Sequence, residues 1–74
     1  MNNVRNDKLL KTFGLHLKAI REKKGFSQEA LANEANIPIS QVGRIERGEV
    51  NATLSTLDAL ASALKISLKE LVNF

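Results

Sequence analysis

The stretch FSQEALANEANIPISQVGRIERG, residues 26–48, constrains the fold of this chain more than any other part. Ser27 can accept a hydrogen bond from a free backbone N–H, so it predicts the start of a helix. Asn36 tolerates the left-handed conformation that ends a helix, and Pro38 suits the first turn of the next one because its φ is fixed and it has no N–H. Gly48 then ends that second helix. The stretch therefore predicts two short helices joined by a tight corner, at about residues 27–35 and 38–47.

Two helices of this length are not stable alone in water, so they need a scaffold that buries their apolar side chains. The side chains expected in the core are Leu31, Ala35, Ile37, Val42 and Ile45. If Val42 and Ile45 point inward, the step of about 100° per residue puts the opposite face of the second helix in solvent. That face consists of Ser40, Gly43, Arg44 and Arg47. Its small polar groups and two guanidiniums suit a DNA groove, with phosphates and guanine edges as targets.

Three further helices are predicted around this pair. An apolar stripe at three- and four-residue spacing occupies residues 8–24, with Asp7 as a candidate N-cap and Gly25 at its end. The stripe consists of Leu10, Phe13, Leu17 and Ile20. Thr53 can cap a fourth helix, and residues 67–70 match the capping-box pattern of a fifth. The apolar stripe of the fourth helix is Leu57, Leu60, Ala61 and Leu64.

These patterns predict an all-α fold, a compact five-helix domain at residues 8–74 that follows a flexible tail at residues 1–7. Gly14 lies within the first helix, where glycine costs about 1 kcal/mol relative to alanine, so we expect it to mark close packing. With 74 residues, the domain buries only about 60% of the surface of its unfolded chain, and dimerisation would help to stabilise it.

The composition excludes several classes of protein. There is no cysteine, and the only histidine, His16, has no evident second ligand, so we expect no disulfide, no metal, no cofactor and no enzymatic activity. No apolar run reaches the length of about 18 residues that a membrane span needs. The C-terminal Phe74 could contact a second subunit or fold back onto the core.

Positive charge is concentrated at the start of the chain. The net charge is +3, and residues 1–25 carry seven Lys and Arg against Asp7 and Glu22. A basic N-terminal third suggests an anionic partner. A solvated lysine face is the alternative, and charge by itself favours it.

The order of these features resembles the phage repressor/Cro-type helix-turn-helix (XRE) family over about residues 9–73. The matching pieces are Leu17, Ile20 and Arg21 before Gly25, then Ser27-Gln28, Leu31-Ala32 and Arg44-Ile45-Glu46-Arg47-Gly48. The resemblance implies a lambda-repressor-like DNA-binding domain that acts as a sequence-specific transcriptional regulator. It implies a homodimer on a near-palindromic duplex operator, with the second motif helix of each subunit in the major groove.

The resemblance also assigns roles along the second motif helix. Gln28, from the first motif helix, would contact a backbone phosphate. Pro38, Ile39 and Ser40 stand where family members contact base edges. Ile39 could cover thymine methyl groups or pack against the neighbouring turn, and Pro38 departs from the usual capping hydroxyl, which leaves one donor fewer.

The longer side chains follow on the same helix. Arg44 could bind guanine O6 and N7 or a phosphate, and Gln41 could contact either a phosphate or a base. Gly43 would permit a close approach to DNA, and Arg47 would contact a phosphate. Glu49 departs from the cation that the family often has there, and we expect it to repel phosphate and to keep the following loop farther from DNA.

Arg21 and Glu46 match the positions that the family pairs in a semi-buried salt bridge between the first helix and the second motif helix. Two independent surface charges are the alternative.

The partners implied are double-stranded DNA and a second copy of the chain. RNA polymerase and a cognate toxin stay open as partners, and no membrane is expected. The expected location is cytoplasmic, in a bacterium or from a phage, and associated with the nucleoid. The competing function is a protein-interaction module, such as a toxin-binding antitoxin.

Overall fold

Five helices make up the fold in the computed structural model, which describes residues 4–74. They are α1 (Asp7–Lys23), α2 (Gln28–Ala35), α3 (Ile39–Glu46), α4 (Leu54–Ala63) and α5 (Leu68–Leu71). No strand occurs within residues 4–74. The prediction of an all-α, five-helix domain is confirmed.

Serine and threonine hydroxyls begin three of the helices as predicted. Ser27, Thr53 and Ser67 each accept a hydrogen bond from a backbone N–H three residues later, and Ser67 forms the full capping box with Glu70. Each such bond satisfies a donor that has no partner within the helix. The local sequence therefore fixes where α2, α4 and α5 begin.

The start of α1 differs from the prediction. Asn6, not Asp7, is the N-cap, and its side-chain oxygen accepts from the Leu9 N–H at 3.0 Å. Asp7 instead lies in the first turn, where its negative charge is favourable at the helix N-terminus. The helix thus includes the last residue of the predicted tail, of which residues 1–3 lie outside the described part of the chain.

The corner between α2 and α3 depends on backbone conformation. Asn36 adopts the left-handed conformation at φ 58°, as predicted. Pro38 is the N-cap of α3 and has no side-chain bond to it, so α3 begins at Ile39, one residue later than predicted. It also ends one residue earlier, because Arg47 is the C-cap.

The core consists of aliphatic side chains from all five helices together with Phe13 of α1. The largest fully buried side chains are Leu17, Leu31, Val42, Ile45, Leu60, Leu64 and Leu71. Leu31, Ala35, Val42 and Ile45 are buried as predicted, while Ile37 is half-buried against the core.

Two glycines allow α1 to lie directly against the C-terminal half of α3. A Cβ on Gly14 would lie 2.6 Å from the Ile45 carbonyl oxygen and closer still to that of Glu46. A Cβ on Gly48 would lie 2.8 Å from the Lys11 Cα. The close packing predicted at Gly14 is confirmed, and these contacts fix which side chains of α1 flank α3.

Candidate nucleic-acid interface

The second motif helix buries one face and exposes the other. Val42 is fully buried and Ile45 is 2% exposed, so the aliphatic side of α3 faces the core. Ser40, Arg44 and Arg47 are exposed on the opposite side. The outer surface of α3 therefore carries one hydroxyl and two guanidiniums, which can donate to phosphates and base edges.

Gly43 was expected on this outer face, but it is buried. A Cβ at this position would lie 2.9 Å from the Arg47 Nη1, so the Arg47 side chain extends back across the preceding turn. Residues four apart lie above one another on a helix, which allows this cover. In the absence of DNA, the surface that was expected to be open at Gly43 is thus covered by the side chain of Arg47.

The N-terminal turn of α3 borders a shallow groove beside the loop that follows the helix. Pro38 and Ser40 are exposed, Ile39 is 49% exposed, and Gln41 is half-buried on the groove side. The groove has a volume of about 240 Å³ and is lined by Pro38, Ser40, Gln41, Arg44, Val50, Asn51, Ala52 and Thr53. Four of the eight predicted DNA-contacting residues therefore share one surface with the 50–53 loop.

A buried ion pair joins α1 to α3. The Arg21 Nε donates to the Glu46 Oε2 at 2.6 Å and the Arg21 Nη2 donates to the Glu46 Oε1 at 3.1 Å. The two side chains are only 9% and 3% exposed, so the alternative of two surface charges does not apply. The Arg21 Nη1 also donates to the Phe26 carbonyl at 2.7 Å. The hydrogen bonds to Glu46 raise the pKa of Arg21 above its ordinary value.

Gln28 contributes to the same cluster, which sequence reasoning missed. Its Nε2 donates to the Glu46 Oε1 at 2.9 Å, and the side chain is half-buried. An amide nitrogen carries two hydrogens, so the bond to Glu46 leaves one of them for another acceptor. The expected phosphate-contacting residue is therefore held in position by the ion pair.

A second ion pair at the end of α3 was also missed. The Arg47 Nε donates to the Glu49 Oε2 at 2.6 Å, and both side chains are at least half exposed. This hydrogen bond raises the pKa of Arg47 and lowers that of Glu49. The two residues are two apart in sequence, on either side of Gly48, whose φ of +73° ends the helical path of the chain.

The residues before α1 lie beside the loop after α3. The Arg5 Nη2 donates to the Glu49 carbonyl at 3.0 Å, and the Asn51 Nδ2 donates to the Val4 carbonyl at 2.9 Å. Arg5 also forms an exposed ion pair with Asp7 at 2.6 Å. These bonds bring residues 4 and 5 next to the loop that borders the outer face of α3.

Phe74 folds back onto α1. Its ring centroid lies 5.4 Å from that of Phe13 and 5.5 Å from that of His16. The sequence left open whether Phe74 contacts a second subunit or folds back onto the core, and in the single chain it folds back. The Nε2 of His16 is buried within this aromatic cluster without a hydrogen-bond partner.

Within residues 4–74, no helix combines the length and the apolar character needed to cross a membrane. In the same range, no three His, Asp or Glu side chains are grouped so that they could hold a metal ion.

The comparisons with known proteins agree on one family. The family described as "Helix-turn-helix" (HTH_3) matches residues 17–71. The immunity repressor protein of Bacillus phage phi105 is 43% identical over 61 residues, which are 82% of this chain and 42% of that protein. The chain thus spans about two fifths of the repressor's length.

Two controllers match over more of their length. Control protein C.BamHI of Bacillus amyloliquefaciens is 36% identical over 74 residues, covering 99% of this chain and 85% of that protein. The crystal structure of the restriction-modification controller protein C.AhdI from Aeromonas hydrophila superposes with a TM-score of 0.82 at 42% identity. That superposition covers 89% of this chain and 98% of the controller. None of these three proteins is named as an enzyme.

Proposed function

This chain belongs to the helix-turn-helix family HTH_3 and is a transcriptional regulator of the XRE type, and we propose that it binds a near-palindromic operator as a homodimer. In this proposal α3 of each subunit enters the major groove, and half-sites lie about one helical turn apart. The similar proteins include a phage immunity repressor and a restriction-modification controller, which supports a regulatory role.

The observation that carries this proposal is the exposed outer face of α3. An α-helix with its side chains is about 10–12 Å wide, and the major groove of B-DNA is about 12 Å wide. The helix therefore fits the groove only if its outer face is free of other parts of the chain. Ser40 and Arg44 meet this condition because both are exposed.

The contacts that we propose follow from position on α3. Arg44 donates to guanine O6 and N7, and Ser40 contacts a base edge, with Ile39 against a thymine methyl group. Arg47 and Gln28 contact phosphates on one side of the helix. The proposed interface also contains Pro38 and Gln41, beside the 50–53 loop. Gly43 lies beneath Arg47, so we propose no direct DNA contact for it.

Apolar surface near the C-terminus supports contact with a second protein surface. A cavity of about 220 Å³ lies between α1, the loop after α3 and the C-terminus, with Leu9, Val72 and Phe74 each 43–49% exposed at its edge. Exposed apolar patches of this kind are frequent at protein contacts. We propose a second copy of the chain as the occupant on DNA, while a toxin is the occupant in the alternative function of an antitoxin.

Because the proposed ligand is genomic DNA, we propose a cytoplasmic location at the nucleoid of a bacterium or of a phage-infected cell. The sign of control would depend on where the operator lies. A site that overlaps a promoter blocks RNA polymerase, and a site beside it could recruit the polymerase.

Selection of bound sequences from a pool of random duplexes tests the proposal. We expect enrichment of two copies of one short half-site, inverted and centred about 10 base pairs apart. At low salt we also expect weak binding to any duplex that declines steeply as salt rises. A chain that binds no duplex at low salt would refute the proposal and favour the protein-interaction alternative.

A further inference from the structure

We propose that Lys11 and Lys18 of α1, together with Arg47, form a phosphate-binding groove that contacts the DNA backbone beside α3. This inference rests on the proposed function and deepens it, because it adds two residues that the pattern of the helix-turn-helix motif did not indicate. The groove has a volume of about 530 Å³ and is lined by Lys11, Leu15, Lys18, Gln28, Glu46 and Arg47.

The position of this groove is fixed by the packing of α1 on α3. Gly14 and Gly48 let the two helices approach until the Lys11 backbone touches Gly48 and α1 touches the carbonyl groups near the end of α3. The side chain of Lys11 therefore begins next to the C-terminus of α3, on the side to which Arg47 belongs.

The geometry of DNA puts phosphates at this groove. When α3 occupies a major groove of nearly its own width, an element packed beside it at about 8–10 Å lies over the edge of that groove. The edge is the sugar–phosphate backbone. Lys11 and Lys18 are seven residues apart on α1, which corresponds to about 10 Å along the helix. At this separation the two ammonium groups can each contact a different phosphate.

The charges in the groove favour an anion. Its only acidic lining residue, Glu46, is already bonded to Arg21 and Gln28 and is buried. Within residues 4–74, neither Lys11 nor Lys18 forms an ion pair. The ammonium groups are therefore available to displace counterions from DNA, which is the main source of affinity in such contacts.

Lys23, the last residue of α1, and Lys24, its C-cap, offer a matched comparison. They line a separate surface depression with Ile20, Ile66 and Glu70, away from the residues of α3. They contribute the same charge to the chain and to its general attraction for DNA. If charge alone mattered, as in a solvated lysine face, the two pairs would be equivalent.

The test compares Lys11→Gln/Lys18→Gln with Lys23→Gln/Lys24→Gln in the intact chain, using fluorescence anisotropy on a random-sequence duplex. We expect the first variant to reduce the slope of log affinity against log salt by about 1.8, which is about 0.9 for each phosphate that the variant no longer neutralises. The loss of DNA affinity in this variant relative to wild type should then shrink about tenfold between roughly 50 and 200 mM salt. The second variant should leave the slope close to that of wild type.

Lys11→Arg/Lys18→Arg keeps both charges and should retain the wild-type slope, and thermal melts of each variant check that the fold persists. Equal slope changes in the two glutamine variants, or no change in the first, would overturn the groove while leaving the proposed function intact. Wild-type protein that binds no duplex would overturn both.

Discussion

Substitution of Arg21 by alanine removes three hydrogen bonds at once, two to Glu46 and one to the Phe26 carbonyl. The Glu46 side chain is only 3% exposed, so its carboxylate depends on protein donors, and the amide of Gln28 is the donor that remains. Removing one member of a buried ion pair costs about 3–5 kcal/mol, because the other charge stays buried without compensation.

This destabilisation is large relative to the stability of the whole domain. At about 0.05–0.15 kcal/mol per residue, a chain of 74 residues unfolds with roughly 4–11 kcal/mol. For a domain of this size each kcal/mol shifts the melting temperature by about 4–8 °C, so we expect Arg21→Ala to lower it by at least about 12 °C.

Urea denaturation followed by circular dichroism measures the change in the free energy of unfolding. Arg5→Ala is the matched control, because Arg5 also pairs with a carboxylate, that of Asp7, and donates to a carbonyl, that of Glu49. Both contacts are exposed, and such an ion pair is worth at most about 1 kcal/mol. An Arg21→Ala variant as stable as Arg5→Ala would refute the reasoning. The double variant Arg21→Met/Glu46→Leu should recover much of the stability, since no buried charge then remains.

Three further outcomes are expected on DNA. Arg44→Ala should lose preference among selected sites while keeping wild-type helicity; identical selected sequences would contradict its base contact. Gln28→Ala should weaken binding to all duplexes alike, and a change confined to one base position would contradict a phosphate role. Glu49→Gln should increase non-specific affinity more than Glu34→Gln, an equal change of charge on exposed α2, because it releases Arg47 for phosphate. Equal gains in titrations of the two variants would show that only net charge matters.

The parts of the fold that the sequence predicted depend on interactions between near neighbours. The cap at Ser27 needs only an N–H three residues later, and the left-handed Asn36 needs only a side chain that tolerates this conformation. The burial of Val42 and Ile45 follows from helical periodicity. Because each of these features depends on only a few neighbouring residues, the predicted ends of α2 and α3 were correct to within one residue.

The prediction was less complete where a side chain has several possible partners. Gln28 bonds to Glu46, eighteen positions away, and this requires the angle between α2 and α3 that packing sets. Gly43 is buried, and the guanidinium of Arg47 lies across it from the following turn. Periodicity assigns a residue to a face of a helix, but it does not indicate which long side chain covers that face.

Glu46 and Arg47 are neighbours in sequence, yet they serve different purposes. A step of about 100° along α3 separates a carboxylate that is 3% exposed from a guanidinium that is 59% exposed. The buried carboxylate fixes the position of α3 on the scaffold, whereas the exposed guanidinium is held by a pair with Glu49 that solvent weakens. A phosphate can therefore replace Glu49 as the partner of Arg47 without disturbing the fold. For this reason substitutions at position 46 should alter mainly the free energy of unfolding, and those at position 47 mainly the salt dependence of DNA binding.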